Sequence, residues 1–319
     1  MPDQISETSG RTVFIAGPTA AGKTAAAIKL CARLAAAGRC AEIVNADAMQ
    51  VYAEAPILTG QPSAQERAAA PHHLLGHLSG ATRCSAGRWA RDAGEVVQAI
   101  HARGADALIV GGTGLYFSAL EGGLSEIPEI DAETRDAAAA RLAELGPEAF
   151  RAEVLALDPA MARLQPNDVQ RHLRAWAVAT ATGAPLSEWQ AQKGARYVND
   201  VAARIVLEPA RETLYAQAEA RFDAMLAAGA LGEAEAVADL FFPADAPLLR
   251  ALGLAELLAH LRREMTIDEA SERAKRNTRR FIKRQLTWFR NQAPDWPRAA
   301  DGNAAASDLA AMLVGSAGD

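Results

Sequence analysis

The first ordered pattern along the chain is TVFIA, Thr12 to Ala16, an apolar and largely β-branched run without polar alternation. Such a run fits a strand buried on both faces. A Gly-rich loop follows, and KTAAAIKLCARLAAAGR then reads as an Ala-rich helix stopped by Gly38. EIVNA, Glu42 to Ala46, predicts a second strand. Ser85 is placed to cap a helix running to about Arg103 and ended by Gly104, and DALIV, Asp106 to Val110, predicts a third strand closed by Gly111 and Gly112. Strand, helix, strand, helix, strand implies a parallel α/β sheet with flanking helices.

The pattern changes near Glu121. Between Asp131 and Trp189 only helical periodicities occur, in DAETRDAAAARLAEL, in PEAFRAEVLAL, and in NDVQRHLRAWAVATATG with Asn167 or Asp168 as a cap. ARIVLEP, Ala203 to Pro209, returns to strand character, and helices dominate afterwards. The expected organisation is a disordered lead-in at 1–10, an α/β core at 11–120 and 200–297, an inserted all-helical domain at 121–199, and a loose Ala/Gly/Asp-rich tail at 298–319.

Composition adds three limits. With 50% hydrophobic residues in 319, a sizeable core is within reach. No apolar run approaches the roughly 18 to 20 residues that cross a bilayer, and the N-terminal stretch lacks a signal-peptide pattern, so no membrane partner is expected. The three cysteines, Cys31, Cys40 and Cys84, have no zinc or redox spacing and read as reduced thiols of a cytoplasmic protein. Net charge is −6, which by itself disfavours nucleic acid, but eight cations and no acid lie between Arg273 and Arg290. That local stripe points to an RNA or phosphate partner more strongly than the total points away.

The strongest chemical signal is GPTAAGKT, Gly17 to Thr24, a complete G-x-x-x-x-G-K-[ST] pattern between a predicted strand and a predicted helix. The loop Gly17, Pro18, Thr19, Ala20, Ala21 and Gly22 offers backbone N–H groups to phosphate oxygens at a positive helix end. Lys23 pairs with the phosphate, and the Thr24 hydroxyl is the one candidate ligand for Mg²⁺. The architecture is therefore P-loop NTPase-like, which also suggests ATP binding. Yet DALIV runs into GGTGLYF without the acid that such enzymes place at a strand end. Asp47, after the second strand, is the alternative carboxylate facing the ligand crevice. On residue type alone it reads equally as a cap or turn residue.

These residues, taken in order with NADAMQVY, PHHLL, LIVGGTGLYFSALEGGL, NDVQRHLRAWAV, RFDAML and KRQLTWFRNQ, resemble the bacterial tRNA dimethylallyltransferase (tRNA isopentenyltransferase) family from about Val13 to Gln292. The resemblance implies that the bound phosphate is the diphosphate of dimethylallyl diphosphate. N6 of the adenosine immediately 3′ of the tRNA anticodon attacks C1 of the prenyl group, and pyrophosphate leaves. By family position Asp47 is the general base, Arg221 a further diphosphate ligand alongside Lys23 and Thr24, and Mg²⁺ the cofactor. RNA contacts fall on Asp47, Ala48, Met49, Gln50, Thr113, Arg135, Gln170, Arg171, Arg174, Lys283, Arg284 and Gln285. Leu115, Tyr116 and Phe117 are either a wall for the prenyl tail or core, and Trp288 is expected to anchor its helix. A monomer is expected.

The chain departs from the family where ALGLAEL, Ala251 to Leu257, lacks the usual aromatic and basic pair at Leu254 and Ala255. His72 and His73 read as structural rather than metal-binding. Rival readings are an adenine-nucleotide isopentenyltransferase, a P-loop kinase or ATPase, and an RNA-binding protein with a relic loop. The basic stripe and helical insertion weigh against the first, the missing strand-end acid against the second, and the intact Lys23, Thr24 and Asp47 against the third.

Overall fold

The structure, a computed structural model, describes residues 10–125, 127–192 and 194–315. The lead-in expected at 1–10 lies outside these apart from Gly10. The strands are β1 (Thr12–Ala16), β2 (Ala41–Asn45), β3 (His72–His73), β4 (Asp106–Gly111), β5 (Ala203–Leu207) and β6 (Arg298–Ala299). The helices are α1 (Lys23–Ala36), α2 (Pro56–Thr59), α3 (Ala64–Ala69), α4 (Ala86–Ala102), α5 (Gly114–Gly122), α6 (Ala132–Leu157), α7 (Val169–Thr182), α8 (Leu186–Ala191), α9 (Arg211–Ala227), α10 (Ala230–Ala238), α11 (Leu254–Leu261), α12 (Ile267–Gln292) and α13 (Gly302–Gly315).

The chain divides into two compact units, one running to Glu121 and resuming at Tyr197, the other spanning Gly122–Arg196. In the first unit the six strands are all parallel in the order β3-β2-β4-β1-β5-β6. Strand β1 is buried along its whole length, as its unbroken apolar sequence requires. It lies between β4 and β5, with β2 and β3 beyond β4 and β6 beyond β5. The carboxyl ends of β1, β2 and β4 consequently bring the Gly17, Asp47 and Gly112 loops to one crevice, where open α/β sheets bind ligands. Ser85 caps α4 by accepting from the Arg88 N–H at 3.1 Å.

The segment after Pro297 corrects the expectation of a loose tail. Arg298–Ala299 adds a parallel edge strand to β5, and α13 buries Ala305, Ala306, Leu309 and Leu313 in one core with Ala26, Ala27, Leu30 and Leu34 of α1. Apolar residues spaced four apart form a stripe that a neighbouring helix covers, whatever the Ala/Gly content around them.

The second unit is helical. Helix α6 is interrupted at Gly146, where φ is 75° and Pro147 follows. Its core comprises Ile130, Ala138, Phe150, Val154, Met161, Ala175, Ala177, Val178 and Leu186. Buried Asp158 ties α8 down by accepting from Ser187 N at 2.9 Å and Ser187 Oγ at 2.7 Å.

Candidate active site

The P-loop turns through two left-handed residues, Ala20 (φ 63°) and Gly22 (φ 80°), before α1 begins at Lys23. No acid occupies the first turn of α1, so its positive end stays uncompensated. Lys23 Nζ donates to the Pro18 carbonyl at 2.7 Å. Burial pushes the Lys23 pKa down to about 8; the negative charge of Asp47 opposes the shift and the positive charge of Arg221 adds to it. Lys23, Asp47 and Arg221 therefore share one electrostatic site although the first and last lie 198 positions apart in the chain.

Asp47 is held by its own strand end. Buried Asn45 accepts from the Asp47 N–H at 3.0 Å and donates from Nδ2 to the carbonyls of Asp47 and Leu74, each at 3.1 Å. The Asn45 carbonyl accepts from Trp89 Nε1 at 2.9 Å, and Trp89 is stacked on Tyr116 with ring centroids 4.2 Å apart. Asp47 Oδ1 accepts from Met49 N at 2.9 Å, which closes a tight turn. Thr113 Oγ1 accepts from Ala48 N at 3.0 Å. The hydroxyl of Thr113 is thus a support of the Asp47 turn.

Gln50 and Arg221 converge on one atom. Gln50 Nε2 and Arg221 Nη2 both donate to the carbonyl of Gly60, at 2.9 Å and 3.0 Å. Burial pulls the Arg221 pKa below its ordinary value, while Asp47 and then Glu66 pull it back. Glu233 of α10 caps α2 by accepting from Ile57 N at 2.8 Å and Leu58 N at 2.7 Å, which fixes the turn that carries Gly60. Nothing in the residue types around Glu233 or Gly60 marked them beforehand.

Two cavities meet at this point. One, of about 580 Å³, is lined by Gly22, Lys23, Thr24, Gln50 and Gly60. The other, of about 460 Å³, is walled by apolar groups including Leu115, Phe222, Met225, Phe281 and Trp288. Thr19, Ala20, Asp47, Thr59, Arg221 and Met225 line both. Of the GLYF stretch, exposed Leu115 lines the apolar cavity, whereas Tyr116 and Phe117 are buried in the core. Trp288 packs so closely on Gly114 that a Cβ there would lie 2.1 Å from its ring. It both anchors α12 and walls the cavity.

The eight cations of α12 divide by face. Lys275 pairs with Asp223 at 2.7 Å and Arg279 with Glu219, both carboxylates belonging to α9. Arg273, Arg276, Arg280, Lys283, Arg284 and Arg290 are exposed, and Arg284 also lines the apolar cavity with its guanidinium 5.5 Å from the Phe281 ring centre. Gln285, expected as an RNA contact, is turned inward at the edge of the apolar cavity. It is only 6% exposed, and both its amide atoms bond within the protein, to Thr19 N and to the Gly112 carbonyl. The missing aromatic at Leu254 leaves an aliphatic side chain fully buried in the core, and Ala255 is exposed.

In the helical unit, Gln170 and Arg171 are exposed, with Arg171 paired to Asp168 at 3.1 Å. Arg135 donates to the Ile130 carbonyl at 2.5 Å. Desolvation and then the like charge of Arg135 lower the Arg174 pKa. His72 and His73 bond to the Ala70 carbonyl and to Glu42, and among the described residues no cluster of three or more His, Cys, Asp or Glu side chains could hold a metal ion.

Residues 50–292 match the family described as IPP transferase. The chain is 47% identical over 304 residues to the tRNA dimethylallyltransferase of Maricaulis maris, covering 94% of this chain and 97% of that one. It is 47% identical over 289 residues to that of Phenylobacterium zucineum, covering 90% and 92%. Among solved structures, the tRNA isopentenylpyrophosphate transferase of Bacillus halodurans is similar with a TM-score of 0.65 at 30% identity, covering 96% of both chains. A eukaryotic dimethylallyltransferase acting on tRNA is similar with a TM-score of 0.70 at 26% identity, covering 88% of this chain and 70% of that one.

Proposed function

This chain belongs to the IPP transferase family, and from that membership we propose that it is a cytoplasmic, monomeric tRNA dimethylallyltransferase acting on the adenosine immediately 3′ of the anticodon. The observation that carries the reading is the position of Asp47 on the wall common to the two cavities. The P-loop cavity suits a diphosphate, because it offers a helix N-terminus, Lys23 and Arg221. The adjoining apolar cavity suits a prenyl tail and a base withdrawn from its stack. The two reactants meet where Asp47 and Arg221 stand.

The exocyclic amine of adenine is a weak nucleophile. In the proposed reaction its nitrogen forms a bond to C1 of dimethylallyl diphosphate while the C1–O bond breaks. The nitrogen proton passes to the Asp47 carboxylate, and the bonding pair leaves with pyrophosphate. Negative charge grows on the leaving oxygens, where Lys23 and Arg221 are already fixed. Mg²⁺ fits the donor set, since it takes few protein oxygens and keeps phosphate and water ligands. Thr24 Oγ1 would hold it, and it would supply charge neutralisation of the diphosphate. Gln50 keeps its carbonyl oxygen for the base, its amide N–H being bonded to Gly60. Lys283 and Arg284, with Arg135, Gln170, Arg171 and Arg174 of the helical unit, would contact RNA phosphates and loop bases.

The test is prenyl transfer from labelled dimethylallyl diphosphate with Mg²⁺ to an anticodon stem-loop, with AMP as a parallel acceptor. Label is expected in RNA and not in AMP, and Asp47→Asn should slow transfer by about 10²- to 10⁴-fold with RNA affinity retained. Label in AMP alone would assign the chain to nucleotide prenylation instead.

A further inference from the structure

Gln285 lies on the inward face of α12 among Ile282, Leu286 and Phe289, all buried. A buried amide requires partners at both ends. Here Oε1 accepts the backbone N–H of Thr19 at 2.9 Å, and Nε2 donates to the carbonyl of Gly112 at 2.9 Å. The reverse amide orientation would set donor against donor and acceptor against acceptor, so the pairing fixes the orientation. The two loops bridged in this way follow different strands, β1 and β4, and both line the apolar cavity. The site at Gly112 has no room for a side chain, because a Cβ would lie 2.4 Å from Gln285 Nε2 and 3.1 Å from the Gly17 carbonyl.

We propose that Gln285 is a positioning residue for the diphosphate donor: it clamps the P-loop to the Gly112 loop and so preorganises the anion cradle. The inference rests on the reading of the P-loop cavity as the donor's diphosphate site. With its N–H committed to Gln285, Thr19 is removed from the set of amides that bind anion, and the loop shape is set before the donor arrives. Without the clamp the loop must be ordered by the donor itself, at the expense of donor affinity. RNA affinity should change little, because both amide atoms of Gln285 are already bonded within the protein.

The experiment uses the full chain and two variants. Gln285→Met keeps the volume and removes both bonds, and Gly112→Ala pushes the amide aside while leaving Gln285 in the sequence. Steady-state KM values for donor and for stem-loop are measured, with Mg-pyrophosphate affinity by calorimetry and stem-loop affinity without donor. The expected result in both variants is a rise of roughly tenfold or more in donor KM and pyrophosphate Kd, with stem-loop Kd within about twofold of wild type. A rise in stem-loop Kd with donor affinity unchanged would return Gln285 to the RNA interface and overturn the proposal. A fall in kcat with both affinities unchanged would overturn it as well. If neither variant folds, hydrogen exchange of the Thr19 amide in donor-free wild-type protein decides. Slow exchange supports the clamp, and exchange at the rate of an open loop refutes it. Wild-type protein that neither binds pyrophosphate nor transfers label would show that the donor-site reading itself is wrong, and the clamp would fall with it.

Discussion

Gly60 offers a way to move one cation without touching it. Its φ of 65° lies in the left-handed region, and its carbonyl accepts from Arg221 Nη2 at 3.0 Å. A Cβ at this position would lie 1.6 Å from Arg221 Nη2 and 2.7 Å from Cζ. The guanidinium is the free end of a long side chain, so in Gly60→Ala it swings away at small cost to the fold. The backbone strain of Ala in this conformation is about 1–2 kcal/mol, which lowers Tm by a few degrees at roughly 2–4 °C per kcal/mol. Catalysis loses more. In the proposed reaction, displacing that preorganised charge from the developing pyrophosphate costs about 2.7–4 kcal/mol, or 10²- to 10³-fold in kcat. The assay is single-turnover transfer by Gly60→Ala, by Arg221→Met and by the double variant. Both single changes act on one interaction, so the double variant should be no slower than Arg221→Met alone. Additive losses, or a Gly60→Ala enzyme at half the wild-type rate, would refute the idea that Gly60 acts through Arg221.

Three other outcomes are expected. An ammonium with a pKa of about 8 is charged below that pH and neutral above it. Donor KM should therefore stay level up to about pH 8 and then climb, by at most tenfold per pH unit, with a flat profile in Lys23→Arg over the same range. Exposed cations should set the salt dependence of RNA binding: Arg280→Ala and Lys283→Ala should each reduce the slope of log Kd against log salt by about 0.7–0.9. Arg279→Ala, whose guanidinium is held by Glu219, should leave that slope unchanged. Leu309→Ala should destabilise the protein by about 2–5 kcal/mol, measured by denaturant melts, because Leu309 is 2% exposed in the core shared by α1 and α13.

Local patterns made the P-loop and the carboxylate loop legible in the chain. An unbroken apolar strand, a glycine-bounded loop and an Ala-rich helix can adopt few other arrangements. What the pattern did not convey was pairing at a distance. Gln285 reads as surface because Lys283, Arg284 and Arg290 surround it, yet Ile282, Leu286 and Phe289 at helical spacing mark its face as the buried one. Gly60 and Glu233 act through a carbonyl and two backbone amides, which side-chain identity does not reveal. Strands β3 and β6 have two residues each, too few for any periodicity. For α13, the Ala305, Leu309, Leu313 spacing was present but obscured by its Gly and Ala neighbours.

The pairing of α13 with α1 also sets an order of events during synthesis. Leu30 and Leu34 of the P-loop helix belong to the same core as Leu309 and Leu313, and Arg11 Nη1 donates to the Leu313 carbonyl at 2.7 Å across 302 residues of chain. A polypeptide emerging N-terminus first therefore carries its P-loop helix with one apolar flank uncovered until nearly all of the described chain has left the ribosome. Contacts of such long range close late. The segment most easily recognised in the sequence is in this sense among the last to be finished in the fold.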